Sequence, residues 1–196
     1  INYTYTFGNT RFIAFNSSIE GQVDSTLTEA SFTWLEQTLA ASTEEHRIVY
    51  MHHPLLPPSW AATKGIELTE QRERLASLLV QYNVELLVVG HAHGYDYQYI
   101  DAEDFPGLSG GFYQLAVAGA GGSYTNYTGD HFFVLVHVTD DGIEHYKIDY
   151  SSFNFSAASA TSQKNDGSES EIQFTLANLS PGAVPAVRLR ATLASS

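Results

Sequence analysis

The sequence predicts a mixed α/β fold that turns antiparallel toward its C-terminal side. Three observations carry that reading. Two short apolar runs, Arg47-Ile48-Val49-Tyr50-Met51 and Val84-Glu85-Leu86-Leu87-Val88-Val89, are each preceded by a stretch of helical periodicity, which is the α/β alternation. After His93 the pattern changes to residues that alternate apolar and polar, the mark of antiparallel strands. A last alternating pair, Glu171 to Ala177 and Val184 to Leu193, follows a stretch with no periodicity.

Tyr3 to Phe7 and Arg11 to Phe15 flank Gly8-Asn9, and two such runs around a Gly-Asn turn predict a hairpin. Thr26-Leu27-Thr28-Glu29 has capping-box spacing, with Phe32, Leu35 and Leu39 following at helical intervals. A helix is expected from about Thr28 to Ala41. His46, in the polar connection after it, is expected in solvent. A second helix fits Leu68 to Tyr82, with Leu75, Leu78, Leu79 and Tyr82 on one face.

The strand after that helix has five apolar residues in its first six positions and reads as buried on both faces. It stops at Gly90, where a turn costs no Cβ clash. His91 and His93 follow. Both rings are expected to face one centre only if the chain bends there, and Gly90 permits the bend. The other apolar run ends in His52-His53-Pro54, and Pro54 stops the strand. In open α/β sheets, sites gather beyond the carboxyl ends of strands. Two buried strands that each deliver histidine there point to one shared metal site. His131, His137 and His145, on later strands, are expected to be structural or exposed.

Composition bounds the rest. At 196 residues the chain fits one ordinary domain and an appendage. No apolar run approaches a membrane span, and no signal peptide is legible. A formal charge of −13 argues against a nucleic-acid surface. It does not exclude a phosphate ester in a metal-lined pocket. There is no cysteine, so disulfides, thiolate metal sites and cysteine nucleophiles are all excluded. Asn2, Asn16, Asn126, Asn154 and Asn178 each open an N-glycosylation triplet, where roughly one or two would arise by chance. The excess implies an extracellular or cell-surface glycoprotein carrying N-glycans. The bland alternative is a Ser/Thr-rich chain producing the triplets by chance.

His52-His53-Pro54, Gly90-His91-Ala92-His93, the opening Tyr5 to Phe15, Trp34-Leu35-Glu36 and Gly119-Ala120-Gly121-Gly122 together resemble the calcineurin-like metallophosphoesterases, most nearly their purple-acid-phosphatase branch. The resemblance implies part of a four-layer α/β-β/α sandwich. It also implies two divalent or trivalent ions (iron, zinc or manganese) that activate a hydroxide for in-line attack on a phosphate ester. By the same resemblance His52 and His91 match ligands of the second metal and His93 a ligand of the first. His53 stands where members of the family often have a small or aromatic residue, and it is expected to line the pocket and bind substrate rather than ligate metal. The family's opening Asp-x-His, Gly-Asp and Gly-Asn-His motifs have no counterpart, and Gly129-Asp130 comes too late to supply one. The branch's further histidine falls on Ala61 or Ala62.

The expected organisation is therefore the C-terminal half of a phosphoesterase domain over residues 1–150, a linker over 151–170, and the opening hairpin of an immunoglobulin-like module over 171–196. The hairpin is expected to pair with something outside residues 1–150, and its open edges permit self-association. Two function classes follow. One is the C-terminal part of a secreted, metal-dependent phosphoesterase whose partner is the missing N-terminal half. The other is a non-catalytic, glycosylated surface or filament protein that reuses the fold.

Overall fold

The computed structural model describes residues 1–18, 26–117, 132–149, 160–165, 169–175 and 188–194. The chain divides into two compact units, Ile1–Ile148 and Asp149–Ser196.

The first unit is built on a six-stranded sheet in the order β1-β2-β3-β4-β6-β5. Its strands are β1 (Tyr3–Phe7), β2 (Thr10–Ala14), β3 (His46–Met51), β4 (Leu86–Val89), β5 (Asp96–Ile100) and β6 (Phe112–Ala116). β2, β3, β4 and β6 run parallel, while β1 and β5 are antiparallel edges. Helix α1 (Glu29–Ala40) links β2 to β3, and α2 (Thr69–Gln81) links β3 to β4. Because β2, β3 and β4 add in one direction, right-handed crossovers place both helices on the same face.

Strand alternation divides the apolar residues between two cores. Val49, Met51, Leu87, Val89 and Ala116 face α1 and α2, where they meet Phe32, Leu35, Leu39, Leu75 and Leu79. Each fully buried side chain of this kind contributes about 1.5–3 kcal/mol. Ile48, Leu86 and Leu115 face the other way. They pack against Val134, Val138 and Ile143 of a separate antiparallel pair, β7 (Phe132–Thr139) and β8 (Gly142–Asp149). The mixed α/β class holds, with helices, main sheet and second sheet as three layers among the described residues.

Several expectations need correction. The cap of α1 is Thr28, whose side chain accepts from Ser31 N, so the Thr26 box is not the one used. His46 is buried, not exposed, with Nδ1 2.8 Å from Glu85. β3 begins at His46 itself, and its side chain points inward. β6 is parallel to β4, although the sequence after His93 reads as antiparallel. Residues 101–111 carry the chain back, so β6 inserts between β4 and the edge strand β5.

The second unit holds a three-stranded antiparallel sheet, ordered β11 (Arg188–Ala194), β10 (Glu169–Thr175), β9 (Ala160–Asn165). β10 and β11 pair with Phe174 opposite Leu189. β9 falls inside the stretch read as linker and pairs with β10 along its other edge. Its sequence, Ala-Thr-Ser-Gln-Lys-Asn, has no apolar alternation. The signal for it was Asp166-Gly167, a hairpin dipeptide.

Candidate metal centre

The site arises from strand register. Met51 of β3 stands beside Val89 of β4, so His52 and Gly90 leave the sheet side by side. Gly90 N donates to His52 O at 3.0 Å, which holds the two strand ends together past the last ladder pair.

The bend that aims the histidines is not at Gly90. Among the described residues His91 and His93 have positive φ, +59° and +50°, and Gly90 does not. Ala92 N donates back to Gly90 O at 2.6 Å, closing a three-residue turn centred on His91. Left-handed backbone on a side-chain-bearing residue costs on the order of 1–3 kcal/mol and concentrates at functional sites. Histidine tolerates it better than most residues. A Cβ on Gly90 would sit 3.5 Å from His52 Nδ1, so glycine leaves the flank of that ring open.

Three imidazoles converge. The ring centroids of His52, His53 and His91 lie 4.7, 4.8 and 4.9 Å apart pairwise. Their candidate ligand nitrogens lie within 4.8 Å of one another. His52 Nε2 is 2.9 Å from His91 Nδ1. His53 is buried, with Nδ1 2.9 Å from Ser17 Oγ, and its backbone N–H donates to the same oxygen at 3.1 Å. His93 is half-buried and lies outside this triangle, although its charge is felt by His52 and His91. Of the three histidines expected to hold metal, the structure gathers two, and it adds His53.

Electrostatics keep these rings neutral. Burial, then the charges of His52, His53, Lys64 and His93, lower the pKa of His91 to about 4. Burial and then His93 lower that of His52. Burial and then His52 lower that of His53, against the opposing Ser17 contact. A neutral imidazole keeps the lone pair that a metal needs.

Two supports were not legible as site residues. Gln114 of β6 is fully buried. Its Oε1 accepts from Leu55 N (2.8 Å) and Leu56 N (3.2 Å), and its Nε2 donates to Leu56 O (2.7 Å). It clamps the chain directly after His52-His53-Pro54. The available signal was a glutamine inside an otherwise apolar strand. Trp60 Nε1 donates to Ala92 O at 3.3 Å, and its ring lies 3.0 Å from where a Cβ on Gly94 would stand. It braces the His91–His93 turn from outside. Asp96 opens β5 opposite Ala116, at the same end of the sheet as the histidines. Burial raises its pKa, and its Oδ2 has no hydrogen-bond partner among the described residues.

Elsewhere, His137 is exposed, 3.8 Å from Glu144, and His145 Nε2 lies 2.7 Å from Tyr95 Oη. His131, Gly119-Ala120-Gly121-Gly122 and Gly129-Asp130 lie outside the described residues, as do Asn126, Asn154 and Asn178. Asn2 and Asn16 are half-exposed and bonded to each other, Asn16 N to Asn2 Oδ1 at 2.7 Å.

Three neutral nitrogens within 4.8 Å suit one borderline ion of the zinc type. Among the described residues no carboxylate joins them, so the pair of ions that the resemblance implies lacks its anionic oxygen ligands.

No family model matches the chain. A probable cyclic nucleotide phosphodiesterase of Rhodococcus erythropolis is 27% identical over 150 residues, covering 74% of this chain and 48% of that protein. A probable glycerophosphodiester phosphodiesterase of Arcobacter nitrofigilis is 34% identical over 84 residues, covering 42% of this chain and 31% of that protein. Both carry the name of a probable phosphodiesterase. The chain spans about half or less of these curated relatives. Among solved structures, PhoD overlays at a TM-score of 0.46 with 12% identity, covering 100% of this chain and 44% of that one. GAP50, the anchor in the inner membrane complex of Plasmodium, overlays at 0.43 with 12% identity, covering 100% and 54%.

Proposed function

We propose that this chain is the C-terminal part of a metal-dependent phosphoester hydrolase that acts on phosphodiesters. The observation that carries the reading is the convergence of His52, His53 and His91 at the carboxyl ends of two adjacent parallel strands. The curated relatives support the substrate class, since both are phosphodiesterases by name. When bound, the metal would supply Lewis acidity toward a phosphoryl oxygen and make a water acidic enough to be useful near neutral pH. The chain's own residues do the rest. The strained turn at His91 aims one ring across at His52. Gln114 and Trp60 fix the two loops that carry the rings. His53 is buried, His91 half-buried and His52 exposed, and all three pKa values are lowered, which favours the neutral, metal-binding form.

We place the protein outside the cytoplasm, with N-glycans on Asn16 or Asn126 among the five triplets. A drop in mass of the natural protein on treatment with an amide-cleaving glycosidase is the expected result, and no change would remove this reading.

The absence of a carboxylate among the clustered residues favours a second reading, a non-catalytic surface or filament protein. Hydrolysis of bis(p-nitrophenyl) phosphate separates the two. The natural polypeptide carrying this chain should cleave it with added zinc, manganese or iron and lose the activity with His91→Ala. The 196-residue chain alone should not cleave it. Absence of hydrolysis by the natural polypeptide with every one of these ions would overturn the enzymatic reading.

A further inference from the structure

His53 is the histidine that strand periodicity puts on the wrong side. It neighbours His52 in sequence, and adjacent residues of an extended chain face opposite ways. The structure nevertheless brings its ring to 4.9 Å from that of His52 and 4.8 Å from that of His91, at near-perpendicular and steeply tilted angles of 81° and 65°. Three imidazoles meeting at their edges set several lone pairs and N–H groups against one another. The 2.9 Å contact of His52 Nε2 with His91 Nδ1 accounts for one pair of rings and leaves the approach of His53 to both without a ring-to-ring hydrogen bond among the described residues. A shared cation would account for all three.

The surroundings of His53 engage one of its ring nitrogens, Nδ1, and leave the other for a ligand. Ser17 Oγ stands 2.9 Å from Nδ1 and also takes the His53 backbone N–H. A hydroxyl oxygen has two lone pairs, enough to accept from both. In the tautomer whose Nδ1–H donates to Ser17 Oγ, Nε2 carries the lone pair. A ring nitrogen held by a hydrogen bond while the other ligates is the usual support of a metal-bound histidine. Ser17 is itself almost fully buried, so this contact is built into the fold and is not an incidental surface bond.

We infer that His53 is a metal ligand, and that His52, His53 and His91 form a three-imidazole site for a single divalent ion of the zinc type. Nitrogens around a tetrahedral zinc lie about 3.4 Å apart. The cluster already spans 2.9 Å between His52 and His91 and at most 4.8 Å overall. Small ring rotations bring all three to one ion and leave a fourth position open. An all-nitrogen set selects zinc, copper or nickel over magnesium or calcium. The inference rests on the same histidines as the functional reading, but its test is metal counting, which can fail or succeed whatever hydrolysis shows.

The test is zinc binding to the 196-residue chain, with X-ray absorption at the zinc edge to count imidazoles. Wild type is expected to bind one equivalent through three imidazoles. His93→Ala should keep both the count and the affinity. His53→Ala should drop the count to two. Because that variant opens a buried cavity, Ser17→Ala is the companion. It leaves the ring in place and should weaken zinc binding by about 10–100-fold. Failure to bind zinc, a count that falls in His93→Ala, or unchanged affinity in Ser17→Ala would each overturn the assignment.

Discussion

His52 Nε2 lies 2.9 Å from His91 Nδ1, although 39 residues separate the two in sequence. The register that sets Met51 beside Val89 makes the meeting possible, and the left-handed turn at His91 completes it.

That pairing gives a pH dependence with a definite sign. The folded chain holds His91 at about 4, below the 6.5 of an unperturbed histidine. Between those values the unfolded chain binds more protons, so stability rises with pH there. Metal-free protein should therefore be unaffected by this group above about pH 6.5 and lose stability as pH falls toward 4. His52 and His53, shifted the same way, add to the effect. Thermal melts across this range should be less steep in His91→Gln than in wild type. Equal slopes would show that the ring is not desolvated and crowded by its neighbours as described.

Gln114→Leu should destabilise the first unit by about 2–3 kcal/mol, because the backbone N–H groups of Leu55 and Leu56 lose their acceptor inside the protein. Leu56 O keeps a donor in Gln98 Nε2 at 2.8 Å, which limits the loss. Urea unfolding measures it. A change within about 0.5 kcal/mol would mean the loop after Pro54 does not depend on this clamp.

Glu44 predicts behaviour at lower pH. It accepts from Thr6 Oγ1 at 2.7 Å, Ser42 Oγ at 2.9 Å and Arg11 Nη2 at 2.9 Å. The Thr6 bond is the largest cause holding its pKa at about 2, against an opposing burial effect. A depressed carboxyl contributes stability above its unfolded value of 4.5 and loses it as pH falls through about 2. Glu44→Gln should flatten the acid limb of the stability curve in that window and leave the limb above 4.5 unchanged.

Most of the framework was legible because it rests on short-range pattern. The hairpin at Gly8-Asn9, both helices and the strands before His52 and His91 follow from periodicity and turn residues. What escaped is set by long-range packing. His53 reads as a pocket-lining side chain from the resemblance alone, and its buried contact with Ser17, 36 residues earlier, has no signal in the local sequence. Ser17 itself read as the middle of a glycosylation triplet. His46 read as polar loop because its partner, Glu85, sits 39 residues away at the approach to β4. Gly90 drew attention as the obvious pivot, whereas the positive φ falls on the histidines. β9 has no apolar alternation because main-chain pairing with β10 defines it.

The most direct measurement is native mass spectrometry of the chain with stoichiometric zinc, wild type beside His91→Ala. His91 belongs both to the ligand set that the resemblance implies and to the triangle seen here. One retained zinc in wild type and clearly reduced retention in the variant is the expected result. No retained zinc in wild type, or equal retention in both, would contradict the claim that the strand-end histidines form a metal site.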